Sequence, residues 1–146
     1  MHKRRDYMMK CIIAGIALAL LTGCSVFTPH DSLVGQWKSN EEKSLASMNA
    51  TEGVSDLAKN LFEHNVFGKV TMEYTAEGVR ALRDDGFADP RYAPYKLVES
   101  TYSYYVVEIY NDTLRKNVAH KLYKEGDCYY TLVTKWNFHE YFCKVK

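Results

Sequence analysis

From residue 33 onward, apolar residues mostly alternate with polar ones, the period of half-buried β-strands, and one stretch near the start switches to helical spacing. "LVGQWKS" at 33–39 sets Leu33, Gly35 and Trp37 on one side and Val34, Gln36 and Lys38 on the other, which predicts a first strand. Ser39 with Glu42 three residues later forms a capping-box pattern, introducing a helix that carries Leu45 and Met48. After Gly53 a second helical face follows, with Val54, Leu57, Ala58, Leu61 and Phe62 at i, i+3, i+4, i+7 and i+8 and Gly68 as the stop.

The two-residue period then returns. "KVTMEYT" aligns Val70, Met72 and Tyr74, "AEG" turns the chain, and "VRALR" comes back as a short strand. Residues 84–94 hold two of the three prolines and form the longest expected loop. Five further strand patterns follow: "YKLVES", "TYSYYVVEIYND", "NVAHKLYK", "CYYTLVTK" and "NFHEYFCKV". Short links between consecutive strands favour antiparallel pairing. The expected fold is mainly β: an antiparallel meander of seven or eight strands forming a barrel or half-barrel, with a helical insertion after the first strand.

The first 23 residues have a different character. Lys3, Arg4, Arg5 and Lys10 precede eleven apolar residues from Cys11 to Leu21. A helix of that length rises about 16 Å, well short of the roughly 30 Å hydrocarbon layer. A basic start, a short apolar middle and a small-residue site together have the layout of an export signal. Leu21-Thr22-Gly23-Cys24 resembles the lipobox of bacterial lipoproteins at all four positions. In that family the cysteine thiol carries a diacylglycerol, the chain is cut before it, and the new amino group is usually acylated too.

The resemblance implies a signal peptide at 1–23, a lipidated tether at 24–32 that begins at Cys24, and one domain at 33–146. Two or more acyl chains suffice for stable residence in a bilayer. Ser25, in place of Asp, resembles the pattern sent on to the outer membrane, so the expected location is that membrane's periplasmic face. The periplasmic face of the inner membrane and the cell surface stand as alternatives.

Processing changes the charge. Loss of residues 1–23 takes 19 basic and 18 acidic residues to 15 and 17, a net −2 with histidine neutral. That balance argues against a nucleic-acid partner. It also leaves Cys128 and Cys143 as the unspent thiols, and an oxidising compartment favours one disulfide between them. Pairing these two sets Tyr130 opposite Tyr141 and Leu132 opposite His139, with the turn at Lys135-Trp136. Lys-Trp is poor chemistry for a two-residue turn, so a shifted register or a longer link stays open.

Gly35-Gln36-Trp37, just after the tether, resembles the Gly-x-Trp of lipocalins and the wider calycin group. There the tryptophan plugs one end of an antiparallel barrel and a late basic residue packs over it, a part Lys144 or Lys146 would take here. "WKSN" at 37–40 and "GDCYY" at 126–130 are also similar to small uncharacterised lipoproteins of Gram-negative bacteria.

Catalytic patterns are missing from the sequence. It contains no G-x-S-x-G, P-loop or H-E-x-x-H, and His30, His64, His120 and His139 lie at no metal-ligand spacing. Glu108 and Glu140 would serve as acid and base only if the fold brought them together. No enzyme, cofactor or metal is expected. Tyrosine is abundant instead: Tyr102, Tyr104, Tyr105, Tyr110, Tyr123, Tyr129, Tyr130 and Tyr141 all fall in the strand region.

The leading expectation is a membrane-anchored binding module for a small apolar or amphipathic ligand, with Trp37, Met72, Tyr74 and Tyr105 lining its pocket. The alternative is a filled scaffold that presents a surface to an envelope protein or to peptidoglycan. A hydrolase, the third reading, would need titratable side chains converging in one cleft.

Overall fold

The alternating segments become eight strands, and two helices are inserted after the first: β1 (Gly35–Ser39), α1 (Glu41–Asn49), α2 (Asp56–Asn65), β2 (Val70–Tyr74), β3 (Val79–Arg83), β4 (Tyr95–Ser100), β5 (Tyr104–Asn111), β6 (Lys116–Glu125), β7 (Cys128–Val133) and β8 (Phe138–Lys144). The computed structural model describes residues 32–146, which form one unit. The expected signal peptide, most of the tether and Cys24 lie outside the described residues. Among the described residues all pairings are antiparallel, in the order β3-β2-β1-β8-β7-β6-β5-β4, so two meanders are joined where β1 lies beside β8. The sheet curls into a half-barrel with β3 and β4 at its margins.

Alternation decides which side chains enter the concave face. Leu33, Trp37, Tyr74, Val79, Tyr105, Val107, Leu122, Tyr129 and Phe142 form one buried core there. A second core lies beneath the helices and combines Met48, Val54, Ala58, Phe67 and Phe138.

Helix α1 does more than cover that core. β1 ends at Ser39, opposite Phe142, and leaves the remainder of β8's edge without a strand partner. The Ser44 and Ser47 hydroxyls of α1 accept from the backbone N–H of Tyr141 (3.0 Å) and His139 (2.9 Å), while Asn40 N–H donates to the Tyr141 carbonyl (2.8 Å). Helix side chains thus satisfy groups that a strand would otherwise pair. The helix cap is Asn40, whose side chain accepts from Lys43 N–H, and not the expected Ser39, which stays in the ladder with its hydroxyl turned inward to Glu140.

The apolar face expected on α2 is only partly buried. Val54, just before the helix, and Ala58 are buried and Phe62 packs beside them, but Leu57 is 83% exposed and Leu61 about half exposed. α2 meets the domain on one side, where Phe62 contacts Phe67, Trp136 and Phe138, so the neighbouring stripe is turned to solvent.

Residues 84–94 fold back along β3 instead of projecting from it. Bridges join Leu82 to Ala88 and Val79 to Ala93, and Arg83 N–H donates to the Phe87 carbonyl at 2.7 Å. This shields an edge that would otherwise template aggregation. The approach is tight at Gly78, where an added Cβ would lie 2.6 Å from the Ala93 carbonyl oxygen. At the other margin, β4 carries an irregularity between Leu97 and Glu99 that interrupts its ladder.

The C-terminal hairpin has the register expected from its cysteines. Cys128 and Cys143 are directly opposed and disulfide-bonded, Tyr130 faces Tyr141, and Leu132 faces His139. Its link is longer than two residues: the strands end at Val133 and Phe138, and Asn137 adopts a left-handed φ of 60°. Both Trp136 N–H and Asn137 N–H donate to the Val133 carbonyl, and the wider turn lets the indole pack edge-on against Phe62.

Candidate functional site

Three of the four residues expected to line a ligand pocket lie deep in the concave core. Trp37 donates its indole N–H to the Leu33 carbonyl at 2.8 Å and sits 5.1 Å from the Tyr129 ring. Lys144, not Lys146, lies over it, with Nζ 5.4 Å from the indole. Tyr74 packs against Tyr95, and its hydroxyl is 3.4 Å from that of Tyr129. Burial pushes the Tyr74 phenol up to about 12, and Tyr129 also rises well above its ordinary value for the same reason, so both remain neutral. Tyr105 is buried beneath Lys124, whose Nζ is 4.0 Å from the ring centre. Met72 is half-buried at the margin of this cluster.

The opposite face carries a feature that depends on strand register. Since Tyr105, Leu122, Tyr129 and Phe142 point inward, their neighbours Tyr104, Tyr123, Tyr130 and Tyr141 point outward. Register then aligns all four. Tyr104 pairs with Tyr123, Tyr123 with Tyr130, and Tyr130 with Tyr141, giving one row across β5, β6, β7 and β8. Successive ring centres are 6.4, 5.2 and 5.1 Å apart. Each tyrosine is half-buried by its neighbours and keeps an edge toward solvent.

Charged groups frame the row. Lys121 Nζ lies 3.8 Å from the Tyr104 ring centre and 5.1 Å from that of Tyr123, and Lys43 lies 5.3 Å from that of Tyr141. Lys43 also pairs with Glu125, and His139 packs against Tyr130. The Tyr104 hydroxyl donates to Glu99 at 2.8 Å, which raises its pKa and holds it as a neutral donor. The disulfide occupies the adjacent row of the same face, where Asn40 Nδ2 reaches Cys143 Sγ at 3.6 Å. Sequence patterning marks these tyrosines as strand residues. Only the pairing Tyr130–Tyr141 could be derived from it, by way of the cysteines.

The candidate acid and base of the sequence are not brought together. Glu108, on β5, points outward beside the buried Val107, whereas Glu140, on β8, points inward between Phe138 and Phe142. Burial raises the Glu140 carboxyl to about 7, and its hydrogen bond from Ser39 Oγ, at 3.4 Å, opposes this weakly. His64 Nδ1 lies 3.0 Å from the Asn60 carbonyl on α2, and His120 is shifted down by partial burial. Among the described residues, no three His, Cys, Asp or Glu side chains are grouped to hold a metal ion. An open depression of about 530 Å³ follows α2 and is lined by Asp56, Leu57, Asn60, Leu61, His64 and Asn65. Comparison with known proteins finds no matching family model, curated protein or solved structure.

Proposed function

We propose that this protein is a lipid-anchored scaffold of the bacterial envelope that engages another envelope protein through the tyrosine row of its outer sheet face. The row of Tyr104, Tyr123, Tyr130 and Tyr141 carries this reading. Tyrosine contributes large contact area and a hydrogen-bonding tip at low conformational cost, and it is enriched among residues that dominate binding energy. Cross-strand packing holds the four rings in place before binding, so little freedom remains to be lost. Lys43, Glu125, Lys121 and Glu99 supply the mixed-charge rim found around such centres. The anchor rests on the sequence of residues 21–25, with Cys24 as the acylated residue and the outer membrane's periplasmic face as the location.

The small-ligand reading has weaker support. A guest in the half-barrel would have to part Trp37 from Tyr129 and Tyr74 from Tyr95, contacts already made within the core. The test is photo-crosslinking in intact cells, with p-benzoylphenylalanine replacing Tyr123, Tyr130 or the remote Leu114. One discrete protein adduct from the two row positions and none from Leu114 is the expected result. No adduct from the row, together with native mass spectrometry that finds a stoichiometric small molecule in the domain, would overturn the proposal in favour of ligand carriage.

A further inference from the structure

We infer that the half-barrel stands on the bilayer with one particular end down, and that Tyr102 is the side chain that enters the lipid–water interface; the inference rests on the proposed acylation of Cys24. Strand register defines the two ends. Gly35 lies opposite Tyr74, Trp37 opposite Lys144, Glu125 opposite Cys128 and Tyr104 opposite Tyr123. One end therefore gathers the point where the domain begins, the turns at 75–78, 101–103 and 126–127, and the C-terminal residues. Cross-links within that end confirm the grouping: Val145 N–H donates to the Gln36 carbonyl, Lys144 N–H to that of Asp127 and Lys124 N–H to that of Ser103.

The chain that precedes the domain decides which end can approach the membrane. Eight residues, 25–32, separate Cys24 from the domain. Fully extended, they reach about 29 Å. β6, with ten residues, is about 33 Å long. To turn the far end toward the bilayer holding its lipid, the tether would have to run back along the domain nearly fully extended, whereas the near end meets that bilayer with the tether slack.

At the near end, Tyr102 is 97% exposed, the most exposed large apolar or aromatic side chain among the described residues. Its turn is firmly built. Thr101 Oγ1 accepts from Ser103 N–H (3.2 Å) and Tyr104 N–H (3.0 Å), Thr101 N–H donates to the Tyr104 carbonyl (2.9 Å), and Lys124 Nζ donates to the Thr101 carbonyl (2.5 Å). A rigid turn that holds an aromatic ring fully in water, at the same end as half-exposed Val34 and Val145, matches the interfacial preference of tyrosine, whose ring seeks the acyl boundary and whose hydroxyl stays wet. Glu77, Glu125 and Asp127 share this end with Lys124, Lys144 and Lys146. Their mixed charge gives no net pull toward anionic lipid, so docking is insensitive to salt.

The test uses the full-length acylated protein purified from membranes and reconstituted in vesicles of phosphatidylethanolamine and phosphatidylglycerol, with and without brominated acyl chains. Tyr102→Trp and the far-end Leu114→Trp are compared after subtraction of the wild-type emission from Trp37 and Trp136. The expected outcome is that Tyr102→Trp loses emission to the brominated chains and shifts to the blue, unchanged by added salt, while Leu114→Trp does neither. Acylated protein in which neither variant is quenched, or both are, would overturn the docking end alone. An intact mass without acyl chains would overturn the anchor from which it follows.

Discussion

Replacing Glu140 with glutamine should make this domain more stable at neutral pH and leave it nearly unchanged in acid. Glu140 projects inward from β8 between Phe138 and Phe142, and burial holds its carboxyl at about 7 against an ordinary 4.5. The folded state therefore keeps a proton that the unfolded chain releases, and the unfolding free energy falls as pH rises between those two values. At about 1.4 kcal/mol per pH unit, a shift from 4.5 to about 7 corresponds to roughly 3 kcal/mol at full effect, with 2 kcal/mol a fair expectation once local relaxation is allowed. Below the unfolded value, the carboxyl is neutral in both states and nothing is lost. Glutamine keeps the shape and can still hydrogen-bond to Ser39, but it never ionises.

Urea unfolding of wild type and Glu140→Gln at half-unit steps from pH 4 to 8 measures this directly, because all other titrating groups cancel in the difference. The difference should be near zero at pH 4, grow through pH 5 to 7 and level off above. A difference that stays constant across the range would refute the argument that an inward-facing carboxylate is forced to ionise.

Two further substitutions test the packing logic. Ser44→Ala removes the buried acceptor for Tyr141 N–H and should cost about 1–3 kcal/mol, with faster amide exchange at Tyr141 measured by NMR; unchanged exchange would count against a helix serine completing the β8 edge. Cys128→Ser opens a loop with a sequence separation of 15 and should lower stability by about 3 kcal/mol in denaturant titration, whereas the parent protein should yield no reactive thiol from this pair under non-reducing conditions.

The two-residue period and its one switch to helical spacing were enough to read the strands, the helical insertion and the fold class, because pleated strands expose alternate faces, and helices one stripe, whatever lies around them. The opposed cysteines also carried the register of the last hairpin, since a disulfide fixes which residues face each other. Local signals failed where a distant partner intervened. Ser39 looks like a helix cap, but pairing with Phe142 keeps it in β1 and passes the cap to Asn40. Leu57 looks like core, but α2 finds a neighbour on one side only.

The candidate face shows the same division. Each tyrosine could be assigned to a strand from its own neighbours, but their alignment depends on three separate ladders whose relative shifts appear nowhere in a linear pattern. Composition and period are properties of a segment and survive without context. Register, the pairing of β1 with β8, and the depth at which Glu140 comes to rest belong to contacts between residues far apart in the chain, and only folding brings those together.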